Sequence, residues 1–476
     1  MEAEFGMLPF NAMRLDGTNL IVSSTGQWCF LDDDEFDAVA GMKLIPGTSL
    51  FRKLSDSGML VSGGNIDMVV SEYRSLNSFV FREPSLHIVI PTLRCNQNCV
   101  YCHAKPADSS GTDMDLSTAV KVIDFVFQSN SPAMTLELQG GEPLLNWDVT
   151  KFIIRESRKL NETYEKKQLG ITMVSNLTLM DEEKLDFLIK NGVTICTSLD
   201  GPAAIHDCNR TYCGGVGTHA DVVKWIERIR SEQESRGMSG AINALPTITR
   251  HSLPRWKEIV DEYVRLGFDT ISLRFLNKLG EARSNWGSIS YSPEEFVTFW
   301  KKSMDYIIEL NKNGVHLREF MAKTMLAKII GKTDPGFTEL MNPCGAARNQ
   351  IAYNYNGDIY TCDEGRMVGN DMFRLGRVGD GKYAKILAGE KVAAICYASV
   401  LSNYCGTCPY QPYCGTCPVM NYAEQGSIVP KMAQSTRCKI YKSQFTYLFN
   451  MMAADSAAAV ILRGWVDEGI RKKEAA

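Results

Sequence analysis

The chain has 476 residues with 51 basic and 55 acidic side chains, a formal net charge of −4, 45% hydrophobic and 22% charged residues. At roughly 150 residues per domain this allows about three domains and a sizeable core, which excludes a largely disordered chain; the near-neutral balance excludes a protein built around a nucleic-acid backbone. No stretch approaches the roughly 18 apolar residues of a membrane span. The N-terminus MEAEFGMLPF carries acids where a signal peptide carries bases, so the expected location is the cytoplasm, with no membrane and no nucleic acid as partner.

In chain order, residues 1–85 form a first block. LIVSSTGQWCFLD (20–32) reads as two short strands around Thr25-Gly26; DDEFDAVAG (33–41) and TSLFRKLSDSGML (48–60) have helical apolar spacing. Such a block suits a small winged-helix-like α+β module or a helical cap. From residue 86 strands and helices alternate. The strands are LHIVI (86–90), MTLEL (134–138), ITMVS (171–175), VTICTS (193–198), AINALPTI (241–248) and TISLRF (270–275). The helices are 116–129, 147–160, 181–192, 217–233, 254–267 and 292–310. Six βα units over residues 86–312 predict an α/β fold with a parallel sheet, either a partial barrel or a doubly wound sheet. In both, functional loops sit at the carboxyl ends of the strands. Residues 313–335 read as a bridging helix. From 336 to 440 cysteine, glycine and proline dominate, predicting a loop-rich module held by metal rather than by a large core. YLFNMMAADSAAAVILRGWV, in the tail 441–476, reads as a helix.

Fifteen cysteines are the main chemical signal. An odd number cannot pair completely, and clustered thiols in a reducing compartment read as metal or iron–sulfur ligands before disulfides. Cys95, Cys99 and Cys102 lie in PTLRCNQNCVYCHAKP, directly after the first strand, with spacing C-x3-C-x2-C. Three thiolates on one loop hold three irons of a 4Fe–4S cluster and leave the fourth open, whereas electron-transfer sites close with four. The alternative is a zinc site that borrows a distal ligand such as His103.

This loop resembles the signature of the radical S-adenosylmethionine (SAM) superfamily, with Tyr101 at its aromatic position. The resemblance implies a partial (β/α)6 barrel. It also implies that SAM chelates the open iron and is cleaved on reduction to a 5′-deoxyadenosyl radical, which abstracts a substrate hydrogen. ELQGGEPLLN follows the second strand and is similar to the superfamily's GGE motif. Gly140 and Gly141 there allow close backbone approach to a ligand, and Glu142 supplies an anion for the SAM ammonium. Ser175 and Asn176 end the third strand as ribose candidates. The resemblance further implies Ser198 in TSLDGP as a SAM contact, Arg210 as a cation for the SAM carboxylate and Leu276 as an adenine neighbour; read from the residues alone, Ser198 and Asn176 are equally turn residues.

The C-terminal cysteines resemble the seven-cysteine SPASM module of peptide-modifying radical SAM enzymes. They run Cys344, Cys362, Cys405-x2-Cys408-x5-Cys414-x2-Cys417 and Cys438, with x2 in place of the usual x3 before Cys417. The resemblance implies two auxiliary 4Fe–4S clusters, one on Cys405, Cys408, Cys414 and Cys438, the other on Cys344, Cys362 and Cys417. The second set either keeps an open iron or takes Cys396. The alternative is a zinc ribbon on the two C-x2-C pairs. Asp363 occupies the place of a substrate base in the sulfatase-maturing branch; read from the residues alone, it is a turn or surface aspartate beside Glu364. Cys196 reads as a buried strand residue and Cys29 as packing in the N-terminal block. Cys208 and Cys213 lie in the loop after the fourth strand.

Over its whole length the chain is most similar to the radical SAM maturase of the His-Xaa-Ser peptide system. That likeness implies a ribosomally made precursor peptide as substrate and a crosslink or related side-chain modification as product. The N-terminal block then acts as a recognition module to which a leader peptide adds a strand. Further partners are a reductant such as flavodoxin or ferredoxin and, as an open possibility, a second maturase protein. Two rival readings are an anaerobic sulfatase maturase forming formylglycine and a non-catalytic iron–sulfur or zinc sensor.

Overall fold

The computed structural model describes residues 5–104, 110–237, 242–454 and 456–474. The ends of the expected first and last segments (1–4, 475–476) and Ala241, at the start of an expected strand, lie outside them. The N-terminal module contains five strands: β1 (Phe5–Met7), β2 (Phe10–Leu15), β3 (Thr18–Ser23), β4 (Trp28–Leu31) and β5 (Leu60–Ser62). β2, β3 and β4 form an antiparallel meander, and β1 pairs with β5. β3 and β4 match the two expected strands; the Asp16-Gly17 hairpin turn brings in β2 as well. Three helices follow, Asp33–Ala40, Ser49–Asp56 and Ile66–Leu76. The first is set by a capping box: Glu35 N donates to Asp32 Oδ1 at 2.8 Å and Asp32 N donates to Glu35 Oε2 at 3.1 Å. Ile21, Cys29, Leu31, Val39, Leu54, Met59 and Leu60 make the module's own small core.

The main sheet begins with β6 (Leu86–Val89), β7 (Ala133–Leu138), β8 (Gln168–Val174), β9 (Val193–Ser198) and β10 (Ile242–Leu245), all parallel to their neighbours. One row of paired residues, Val89, Leu138, Met173, Ile195 and Ile242, crosses all five strands and is buried against the surrounding helices. The opposite face is not the apolar run of a doubly covered sheet. Its side chains include Glu137, Thr172 and Cys196, each only partly buried, so the inner face is a polar lumen. The sixth expected strand shrinks to β11 (Thr270–Ile271), which pairs with β12 (Arg318–Glu319) in a separate two-stranded sheet.

β13 (Gln350–Tyr353) lies parallel to β6 on its other side, and β14 (Asp358–Tyr360) and β15 (Arg374–Arg377) continue antiparallel. The eight strands thus run β10-β9-β8-β7-β6-β13-β14-β15, and the C-terminal region is more than loops. Its Ile351, Tyr353, Tyr410 and Tyr413 join the main core. The helix Thr436–Ala454 starts before the expected tail boundary, carries Cys438 in its first turn, and is followed by Ser456–Glu474. Among the described residues no single helix is long and apolar enough to cross a membrane.

Candidate active site

The cysteine loop leaves β6 and is clamped by the segment after β9. Asn98 N donates to Thr211 O at 2.8 Å, Val100 N to Asn209 O at 3.0 Å, and Cys213 N to Asn96 O at 3.1 Å. Cys95, Cys99 and Cys102 line one cavity of about 190 Å³ together with Tyr101, Gly140, Gly141, Ser175, Asn176, Ser198 and Arg210. Residues from four successive strand ends therefore meet at one place, as a parallel sheet requires of its carboxyl-end loops.

Gly140 and Gly141 make a close backbone approach, but to the cysteine loop itself. A Cβ on Gly141 would stand 2.1 Å from Arg94 O, and one on Gly140, where φ is +136°, 2.6 Å from Thr92 O. Glu142 is fully buried behind the cavity lining. Its carboxylate accepts from Asn176 N at 2.7 Å, Ser175 Oγ at 2.8 Å and Leu144 N at 3.1 Å. Burial pushes this carboxyl up to about 7 against those hydrogen bonds. Here Glu142 ties the loop after β7 to the loop after β8.

Tyr101 Oη donates to Asp200, 2.6 Å from the nearer carboxylate oxygen, and accepts from Arg210 Nε at 2.6 Å. Asp200 is fully buried; it also accepts from Asn209 Nδ2 at 3.1 Å and Thr247 N at 3.0 Å. Arg210 Nη1 lies 3.6 Å from Cys99 Sγ, and Asn176 Nδ2 3.7 Å from Cys95 Sγ. Leu276 does not line the cavity; it packs with Cys99 and Tyr101 in a small apolar cluster beneath it.

Asp363 is 6% exposed, so the surface reading of this residue is overturned. It opens the helix Asp363–Val368 and accepts from Arg366 Nε at 2.8 Å. On the inner face, burial, with Asp363 the next cause, pushes the carboxyl of Glu137 up to about 7. Burial, then Arg274, pulls the His103 imidazole down to about 4, which keeps it neutral. Cys196 lies within β9 as expected, partly buried on the inner face, and burial pushes its thiol up to about 12.

In the C-terminal region Cys405, Cys408, Cys414 and Cys438 line a second cavity of about 250 Å³. Cys344, Cys362 and Cys417 pack in one cluster with Ile88 and Ile90 of the segment that begins at β6. Cys396 is close enough to Cys344 to influence its thiol, while its own Sγ faces Ala346 O at 3.3 Å. Cys208 and Cys213 are exposed; Cys213 Sγ lies 3.9 Å from Cys95 O. Cys29 is buried in the N-terminal core.

The residues present fit iron–sulfur clusters. None of the fifteen cysteines is in a disulfide. Burial pushes the thiols of Cys95 up to about 12 and Cys99 up to about 11, so only a bound metal would ionise them near neutral pH. Cys95, Cys99 and Cys102 line one cavity and Cys405, Cys408, Cys414 and Cys438 another, all-thiol donor sets of the kind that hold iron–sulfur clusters.

Sequence reasoning missed Asp200, the hub of the Tyr101–Arg210 network, although it lies inside the TSLDGP motif. It also missed Gln97, Thr247 and Met367 on the cavity wall. Gln97 and Asp200 carry a usable signal, their place within the motifs; Thr247 and Met367 carry none.

A sequence model described as the radical SAM superfamily matches residues 89–260. The chain is 27% identical over 299 residues to the cysteine-type anaerobic sulfatase-maturating enzyme of Clostridium perfringens, which covers 60% of this chain and 75% of that enzyme. Among solved structures it is similar to anSMEcpe with bound AdoMet and the Kp18Cys peptide (TM-score 0.66, 21% identity, 78% of this chain and 98% of that one). It is also similar to Streptococcus suis SuiB bound to the precursor peptide SuiA (TM-score 0.53, 14% identity, 90% and 98%). At these identities the structural likenesses speak for the fold. The cysteine loop, the strand-end cavity and the matched residues together make residues 89–260 a radical SAM domain.

Proposed function

We propose that this chain is a peptide-modifying radical SAM enzyme, most like the maturase of the His-Xaa-Ser system, and that it crosslinks side chains of a ribosomally made precursor. The observation that carries the reading is the convergence of Cys95, Cys99 and Cys102 with Ser198 and Arg210 on one cavity at the strand ends. SAM bound beside a reduced cluster supplies hydrogen abstraction from an unactivated carbon. The chain's own residues position and exclude. Arg210, fixed by Tyr101 and Asp200, offers a rigid cation at the cavity wall. Ser175 and Asn176 are fixed by Glu142. The two further cysteine sets suit auxiliary clusters that take up an electron as the product forms.

The N-terminal module supports a precursor substrate. Structures with bound peptide are known for both folds that the chain resembles. The anSMEcpe match leaves roughly a fifth of this chain unaccounted for, a share comparable in size to the module ahead of residue 89. β4 is an edge strand of its sheet, and the shallow groove between it and the helix Ser49–Asp56, lined by Trp28, Phe30, Arg52 and Lys53, is where a leader peptide would add a strand. A second reading, formylglycine formation on a sulfatase, is favoured by the maturase relatives and by buried Asp363.

The test is anaerobic reconstitution with iron, sulfide, SAM and dithionite, followed by mass spectrometry of SAM products and of the candidate peptide. Expected are 5′-deoxyadenosine and a peptide lighter by two hydrogens with linked side chains. Intact SAM defeats the radical reading; formylglycine on a sulfatase peptide, abolished by Asp363→Asn, favours the second.

A further inference from the structure

Gln97 stands between Cys95 and Cys99 and is 2% exposed. It lines the cavity, where its Oε1 accepts from the Cys99 thiol at 3.6 Å. Its Nε2 is buried and meets no hydrogen-bond partner among the described residues. A cysteine that ligates iron has lost its proton. The contact between Gln97 Oε1 and Cys99 Sγ then brings two acceptors together and becomes repulsive. Half a turn of the amide relieves this: Nε2 moves onto the sulfur and Oε1 takes a place where no hydrogen bond is lost. An amide's oxygen and nitrogen are told apart only by such partners. Two other side chains already aim N–H groups at the loop's sulfurs, Arg210 Nη1 at Cys99 and Asn176 Nδ2 at Cys95, at 3.6 and 3.7 Å.

We propose that Gln97 is a positioning residue that donates its side-chain N–H to the ligated Cys99 sulfur and, with Arg210 and Asn176, raises the reduction potential of the cluster on Cys95, Cys99 and Cys102. The inference rests on the iron–sulfur reading of this site. An N–H on a thiolate draws negative charge away from iron, so one electron arriving from a low-potential carrier meets less repulsion. The low-polarity surroundings of a buried amide strengthen the effect. No protein bond is made or broken; one electron leaves the external donor and enters the cluster.

The experiment is a redox titration of the reconstituted holoenzyme by low-temperature electron paramagnetic resonance, following the signal that changes when SAM is added. In Gln97→Leu the ratio of reduced to oxidised cluster at a fixed potential is expected to fall about tenfold, equal to about 59 mV for one electron. Gln97→Met keeps roughly the side-chain length, carries no N–H and no charge, and is expected to move the same way. An unchanged midpoint in an iron-replete variant overturns the proposal. So does a loss of iron in both variants with wild-type potential in the clusters that remain, which marks a merely structural role. Independently of folding, wild-type protein carrying nitrogen-15 in its glutamine side chains should show a nitrogen-15 coupling on the reduced cluster, and its absence overturns the proposal. Wild-type protein that binds no iron at this loop removes the site reading itself.

Discussion

Glu319 shows what burial does to a single carboxylate in this fold. It caps the helix Phe320–Ile329, accepting from Ala322 N at 2.6 Å and Leu273 N at 3.1 Å, and is fully buried. Burial pushes its carboxyl up to about 7 against those hydrogen bonds. A carboxyl whose folded value is raised binds its proton more tightly in the native state. Its contribution to stability is therefore complete below the unfolded value and is lost as pH rises through the folded one. Urea unfolding of wild type and Glu319→Gln at about pH 5 and about pH 8 should differ in slope: the wild type loses about 3 kcal/mol more across that window. Equal slopes would contradict the assignment. At the same scale, legibility in the sequence followed chemical type. The cysteines, Glu142 and Arg210 stand out because their side chains ligate or carry charge. Gln97 and Asp200 were passed over although both lie inside the motifs, because their roles depend on partners that only the fold supplies, the Cys99 sulfur for one and Tyr101 for the other.

At the scale of elements, the strand ends depend on backbone contacts as close as any side-chain contact in the cavity. The loop after β7 lies so tightly on the cysteine loop that Gly141 has no room for a methyl group beside Arg94 O. Gly141→Ala is expected to push the two loops apart, cost about 1–3 kcal/mol as overpacking, and reduce iron at the cysteine loop. Iron quantitation per chain after reconstitution, alongside thermal unfolding, reads both effects; full iron loading would show that the loops slide freely. The alternation of strands with helical segments made β6 to β10 readable, helped in β6, β8 and β9 by β-branched residues. TISLRF carries the same pattern, yet only Thr270 and Ile271 form a ladder. Their partner, Arg318–Glu319, is two residues long, and the chain then turns so that Leu273 N meets Glu319 and Leu276 N donates to Tyr291 Oη at 2.7 Å. Partner length is non-local, so periodicity cannot report it. The polar face of β7 was written in the sequence as alternation, Thr135 and Glu137 between Met134, Leu136 and Leu138, where a sheet covered on both faces carries an unbroken apolar run.

For the whole molecule, the fold class followed from order along the chain, but the joint between its parts did not. The C-terminal region looked separable, being rich in cysteine, glycine and proline. In the structure β13 pairs with β6 residue for residue, Gln350 with Leu86 through Tyr353 with Val89. The strand that launches the cysteine loop is thus flanked on one side by β7 and on the other by β13. A chain ending near residue 335 is expected to fail to fold cooperatively, because it strips the partner from β6 and uncovers Ile88 and Ile90. Circular dichroism and size-exclusion chromatography of that truncation, against the full chain, decide the point; a monodisperse, cooperatively melting fragment would refute it. This shared ladder also limits what recombination can do with the protein. Grafting a foreign cysteine-rich terminus onto this barrel would have to reproduce a hydrogen-bond register in the middle of an existing sheet, so the two regions should be inherited and engineered as one piece.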